Sequence, residues 1–175
     1  EGSVSYLGPV QGQDLEMSIG PVGIRLQRPS LTRVREAIDS GRIVRLHILR
    51  PTWHLVSAND VRWILQVCGK RLWTAYMTSW GKHFGVDEQD YARFRDSVRE
   101  ILAGTDGLTL RELTSSMNQS GHNWNEDQVK TLLCVGEAGG FICNGKERNR
   151  KHTYALLEER VPLSEPLSRD EALSR

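Results

Sequence analysis

Two short segments carry residues that could do chemistry: Val10-Gln-Gly-Gln-Asp14 and, further along, Arg50-Pro-Thr-Trp-His-Leu-Val56. A glutamine carboxamide is no strong base, but its carbonyl oxygen and NH2 group together can orient a water molecule. Asp14 offers either a negative charge or a cap for a following helix. Arg50 and His54 are residue types that contact phosphate, and equally types that hold a wing together by local hydrogen bonds. From the residues alone, Gln11 and Gln13 fit a polar loop bonded to backbone as well as a water-binding pair.

Other chemistries lack their motifs. The chain has no P-loop, no G-x-G-x-x-G and no zinc signature. His47, His54, His83, His122 and His152 form no i, i+4 pair, so a metal site would need distant residues to converge; no metal or cofactor is expected. Cys68, Cys134 and Cys143 show no C-x-x-C spacing, and they read as small buried hydrophobes in a reducing cytosol. The expected location is therefore cytoplasmic. No apolar run approaches the ~20 residues of a membrane helix, so no membrane partner is expected. Oligomeric state is not legible.

Charge points to a partner. The net charge is +1, yet residues 20–72 hold ten Lys and Arg against three acids, while the C-terminal stretch is acidic. A basic half suits a polyanion.

These segments need elements to hold them. At 38% hydrophobic, the 175-residue chain favours several modest cores over one large one. Residues 1–29 are rich in Gly and Pro and read as loop, with at most a short helix near residues 14–19. A helix is expected at about residues 31–40, with Leu31, Val34 and Ile38 on one face and Gly41 as its stop. Residues 43–49 and 53–56 read as a hairpin, followed by a helix capped by Ser57 or Asn59. Helical patterns fill residues 73–104, broken at Gly85-Val-Asp87. Thr109-Leu-Arg-Glu112 is a capping box, and Asn125 caps a second helix ended by Gly139-Gly140. Residues 141–143 and 153–156 then pair as strands, with Asn144-Gly145 starting their turn and Lys146, Arg148, Arg150 and Lys151 making its tip basic. The expected fold is α+β and mostly helical: tandem winged-helix modules, each a helix-turn-helix plus a β-hairpin wing, joined by helices. Residues 1–72 form the first module, 73–104 a helical spacer, 105–161 the second module and 162–175 a tail or linker.

Taken in order, these stretches resemble the AlkZ/YcaQ-like family of winged-helix DNA glycosylases. Residues 10–14 resemble its Gln-x-Gln-Asp stretch, and residues 50–56 its Arg-Gly-Thr-x-His-Leu-Val. Ile43-Val-Arg45 is similar to its Val-Arg before the wing, and residues 108–113 and 140–145 resemble parts of its second module. The likeness runs from about Tyr6 to Val161. Pro51 stands where the family carries Gly, which would alter the wing turn because proline fixes φ. Family members also have a helix before the Gln motif and a third winged region, so this chain reads as a fragment.

The resemblance implies a monofunctional glycosylase acting on double-stranded DNA. It would release alkylated bases such as N7-alkylated purines, with crosslink unhooking in some members. Gln11 and Gln13 match the catalytic pair, with Asp14 as support. An N7-alkylated purine is already cationic and leaves without a strong general acid. The enzyme must then hold a water against the sugar carbon and stabilise an oxocarbenium-like state. The expected DNA contacts are Arg50 and His54, the basic tip of Lys146, Arg148, Arg150 and Lys151, and Arg45, which reads as a general phosphate contact or a structural residue rather than a catalytic one. Tandem wings and a basic half equally suit a non-enzymatic winged-helix regulator. A protein-docking module, a third reading, would show no salt-dependent DNA binding.

Overall fold

The computed structural model describes residues 8–24, 30–161 and 171. The expected tail, apart from residue 171, lies outside them.

The segment expected to be loop contains a strand. β1 (Val10–Gln11) adds antiparallel to the edge of a hairpin made of β2 (Ile43–His47) and β3 (Trp53–Ser57), giving the order β1-β3-β2. Gln11 pairs with His54, and Gly12 N extends the ladder by donating to Trp53 O at 2.6 Å. A two-residue strand has no periodicity to detect. Asp14 caps α1 (Leu15–Ile24), its Oδ1 accepting from Met17 N at 3.1 Å. The helix continues through Gly20 and Pro21, well beyond the short stretch expected. Burial of Ile19 and Val22 against Val34, Ala37 and Ile38 of α2 (Leu31–Asp39) outweighs their poor propensity.

The end of α2 is clamped from the far end of the chain. The Arg160 guanidinium donates to Ile38 O at 2.6 Å and Asp39 O at 2.8 Å, satisfying the terminal carbonyls. Gly41 then turns with φ +76°, and a Cβ there would sit 2.7 Å from Arg160 O.

Neither Ser57 nor Asn59 caps the next helix. Asp60 occupies the N-cap position without a side-chain cap bond, its Oδ1 taken by Trp63 Nε1 at 3.0 Å. This helix, α3 (Val61–Tyr76), runs through a π-helical turn (Met77–Gly81) into α4 (Lys82–Phe84). The expected 72/73 boundary thus falls inside α3, where no residue interrupts the helix. Gly85, at φ +68°, ends the run, and Asp87 opens α5 (Glu88–Leu102) with a capping box.

The second half holds α6 (Leu110–Gln119), α7 (Glu126–Ala138), β4 (Ile142–Asn144), β5 (Tyr154–Leu156) and α8 (Leu157–Arg160). Both expected caps form, Thr109 with Glu112 and Asn125 with Gln128. α5 lends Phe94, Val98 and Leu102 to one core with Leu113, Met117, Val129 and Leu132. Leu108 bridges Tyr154 just as β1 pairs with β3, so each half has a short first strand, two helices and a hairpin. The fold is α+β, mostly helical and winged-helix-like.

The hairpin turn is displaced from Asn144-Gly145. Asn144 is buried in β4, and the chain reverses at Asn149 (φ +53°) and Arg150 (φ +60°) between the paired Arg148 and Lys151. Two successive left-handed residues match a twisted hairpin, and asparagine tolerates the conformation.

The halves share an interior. Val44, Leu46, Ile48 and Val56 cluster with Cys143, Leu157 and Val161. α3 also crosses α7 closely at Gly69, where a Cβ would lie 2.6 Å from Ala138 O. Gly69→Ala is expected to destabilise the protein by about 1–3 kcal/mol, because backbone must move to make room; urea unfolding measures this.

Candidate nucleic-acid interface

The Gln-Gly-Gln-Asp stretch does not hang free. It is held by β3 on one side and by Arg45 on the other. Trp53 N donates to Gln13 Oε1 at 3.3 Å, fixing that carboxamide. Arg45 Nε donates to Gly12 O at 2.7 Å, and its Nη2 to Gln13 O at 2.9 Å. The guanidinium carbon lies 4.0 Å over the Trp53 ring, a cation–π contact.

Arg45, expected as a structural residue or a general phosphate contact, is 5% exposed and its donors point at the loop backbone. Burial lowers its pKa, with Glu137 the largest opposing influence. His54 is likewise turned inward, with 2% exposure and its Nδ1 donating to Thr52 O at 2.8 Å. Burial lowers the His54 pKa as well, above all other influences, so it is neutral at pH 7. It stands opposite Gln11 on the same sheet face and shapes the surface beneath that side chain. The predicted contact at Arg50, by contrast, is exposed in the turn between β2 and β3.

Gln11 is exposed on β1, and among the described residues its side chain has no hydrogen-bond partner. Gln13 and Asp14 are exposed too, at the mouth of a cleft of about 640 Å³ that Arg35, Arg45, Arg150 and His152 also line. The second hairpin thus meets the Gln loop across more than a hundred positions of sequence. Asn144 makes the join, its Oδ1 accepting from Arg45 N at 2.7 Å. His152 completes it, its Nδ1 accepting from Arg45 Nη1 at 3.3 Å and its ring lying between Trp53 and Tyr154. Neither residue was predicted as a site residue from its own neighbourhood; only their place beside a basic turn marked them.

His152 is held neutral. Burial first, then the charges of Arg45 and His47, drive its pKa from 6.5 to about 3. Between those values the unfolded chain binds a proton that the folded chain refuses. The stability tied to His152 is thus full above pH 6.5 and drains away as pH falls towards 3. His152→Phe is expected to flatten the acid side of the stability profile by about 2–3 kcal/mol between pH 7 and pH 4, read by urea unfolding at both.

The basic tip divides in two. Lys146 is paired with Asp106 at 2.7 Å and Arg148 with Glu112, whereas Arg150 and Lys151 are exposed and make no ion pair among the described residues. Exposed pairs contribute only about 0–1 kcal/mol, so Lys146 and Arg148 can exchange their acids for phosphate at little cost. The second helix of the second half exposes only its N-terminal end, where Glu126 and Asp127 would repel phosphate. Residues 131–138 of α7 are all buried, sandwiched between α3, α6 and β2. α2 keeps Thr32, Arg33 and Glu36 exposed beside the cleft, and is the helix free to approach a duplex.

Helix pairs each followed by a hairpin, with a cationic cleft where the two hairpin systems meet, define a winged-helix-like chain suited to a polyanion. The family described as DNA glycosylase AlkZ-like matches residues 4–175, and the chain belongs to that AlkZ-like DNA glycosylase family. Among solved structures, the chain is similar in fold to Streptomyces sahachiroi DNA glycosylase AlkZ, with 21% identity and a TM-score of 0.73. That similarity covers 97% of this chain and 47% of the other, so the chain spans about half the length of that structure. No curated protein matches the chain.

Proposed function

We propose that this chain is the base-excising part of a DNA-repair glycosylase. It binds double-stranded DNA along α2, the Gln loop and the second hairpin tip, and it directs water onto the N-glycosidic bond of an alkylated, already cationic base. Gln11 and Gln13 hold that water, the Arg45 clamp sets their backbone, and Asp14 serves mainly as the cap of α1. Unhooking of crosslinks belongs to the same chemistry, because a crosslinked N7 purine carries the same positive charge. The observation that carries this reading is the fixed Gln loop at the mouth of a cationic cleft. A cationic leaving group needs positioning and electrostatics rather than a strong acid, and the cleft offers no strong acid beyond Asp14 and Glu147.

The test is incubation of the purified chain with duplex DNA carrying N7-methylguanine, measuring free base beside a salt titration of binding. Base release supports the proposal. Binding that weakens steeply with salt, without release, favours a non-enzymatic DNA binder. Absence of salt-dependent binding refutes both.

A further inference from the structure

Two residues beyond Arg45 on β2, a polar cluster is sealed in the interior. His47 is 6% exposed, Cys134 3% and Glu137 0%. Their donor atoms, a ring nitrogen, a thiol sulfur and a carboxylate oxygen, lie within 4.8 Å of one another. Cys134 and Glu137 stand at i and i+3 on α7 and so share a face, which meets β2. No spacing rule along the chain would pair His47 with either; the fold supplies the convergence.

The protein's own groups do not fully satisfy this cluster. Glu137 Oε2 contacts His47 Nδ1 and accepts from His47 N at 3.3 Å. Glu137 Oε1 is buried and has no partner among the described residues. The Tyr76 hydroxyl is also buried without one, its ring edge-on to His47 at 5.8 Å and packed in one cluster with Cys134. A buried polar atom without a partner costs about 1–3 kcal/mol, and here two converge on the same place.

We propose that His47, Cys134 and Glu137 bind one divalent transition-metal ion of the zinc type, with the Tyr76 hydroxyl facing the fourth position. The donor set selects the class of ion: calcium and magnesium take oxygen ligands, whereas nitrogen and sulfur with one carboxylate suit zinc and its first-row neighbours. On binding, the Cys134 thiol gives its proton to solvent. Thiolate and carboxylate then neutralise the dication, so the bound site carries no net charge. The ion would be structural, tying α7 to the strand that carries Arg45. It takes no part in the proposed excision.

The experiment is elemental mass spectrometry on the untagged protein, purified from zinc-supplemented cells and dialysed against a chelator. About one zinc per chain is expected. In Cys134→Ala and Glu137→Gln the retained metal should fall by more than about tenfold. Unfolding in chelator and refolding with cobalt(II) should produce an intense sulfur-to-cobalt charge-transfer band, absent in Cys134→Ala. Circular dichroism checks that each variant folds, and the wild-type measurements decide even if a variant does not. Folded wild-type protein with no stoichiometric metal and no cobalt band overturns the proposal and leaves a buried ion pair.

Discussion

Replacing Gln11 and Gln13 together by alanine is expected to cut release of N7-methylguanine by at least about a hundredfold, the size of losing a preorganised transition-state contact. Duplex affinity should change by no more than a few fold. The two positions differ in a way that makes the result readable. The Gln11 side chain has no partner among the described residues, so Gln11→Ala should leave stability untouched. Gln13 accepts from Trp53 N at 3.3 Å, so Gln13→Ala also gives up one exposed hydrogen bond, worth about 0.5–1.5 kcal/mol. A fall in excision for Gln11→Ala with unchanged melting would place the effect in chemistry rather than folding. Unchanged excision in the double variant would remove both residues from the mechanism.

The second large effect belongs to Arg45, whose proposed role is to position the Gln loop. Arg45→Ala is expected to lower excision by about tenfold to a hundredfold, since misplacing a reacting group by about 1 Å has that order of consequence. It should also destabilise the protein by about 2–4 kcal/mol, because Gly12 O and Gln13 O lose charged donors, a loss of about 1.5–3 kcal/mol each before relaxation. The signature of positioning is a fall in kcat with little change in the salt dependence of binding. A direct phosphate contact would do the reverse, weakening binding and reducing the salt slope by about one. Arg45→Lys discriminates further. It keeps the charge but lacks the fork that reaches Gly12 O, Gln13 O and His152 at once, so it should recover little activity.

The burial of Arg45 shows where sequence legibility ends. β2 alternates Val44 and Leu46 with Arg45 and His47, a pattern that ordinarily sends polar residues to water. Here every residue of the strand is buried, because the Gln loop and the second hairpin cover the other face. That cover comes from residues about thirty positions before Arg45 and about a hundred after it, and nothing local announces it. Local rules succeeded where the signal was local: the Thr109 and Asn125 caps follow from residues three apart. They failed at the Asn144-Gly145 turn because tertiary demand won. Asn144 is needed as acceptor for Arg45 N, and Gly145 is needed where a Cβ would lie 2.5 Å from Asp106 O. The cleft was half legible. Its Gln residues and its basic tip were each visible as stretches, but their meeting was not.

The Arg160 clamp on α2 and the shared packing of Val44 and Leu46 with Leu157 and Val161 bear on how the protein is made. During synthesis the N-terminal half emerges first, with the end of α2 uncapped and one face of β2 bare. It cannot settle until residues 157–161 leave the ribosome. Contacts this distant in sequence form slowly, and exposed strand faces in waiting intermediates invite aggregation. A nascent chain stalled before residue 157 should therefore be protease-sensitive and chaperone-bound.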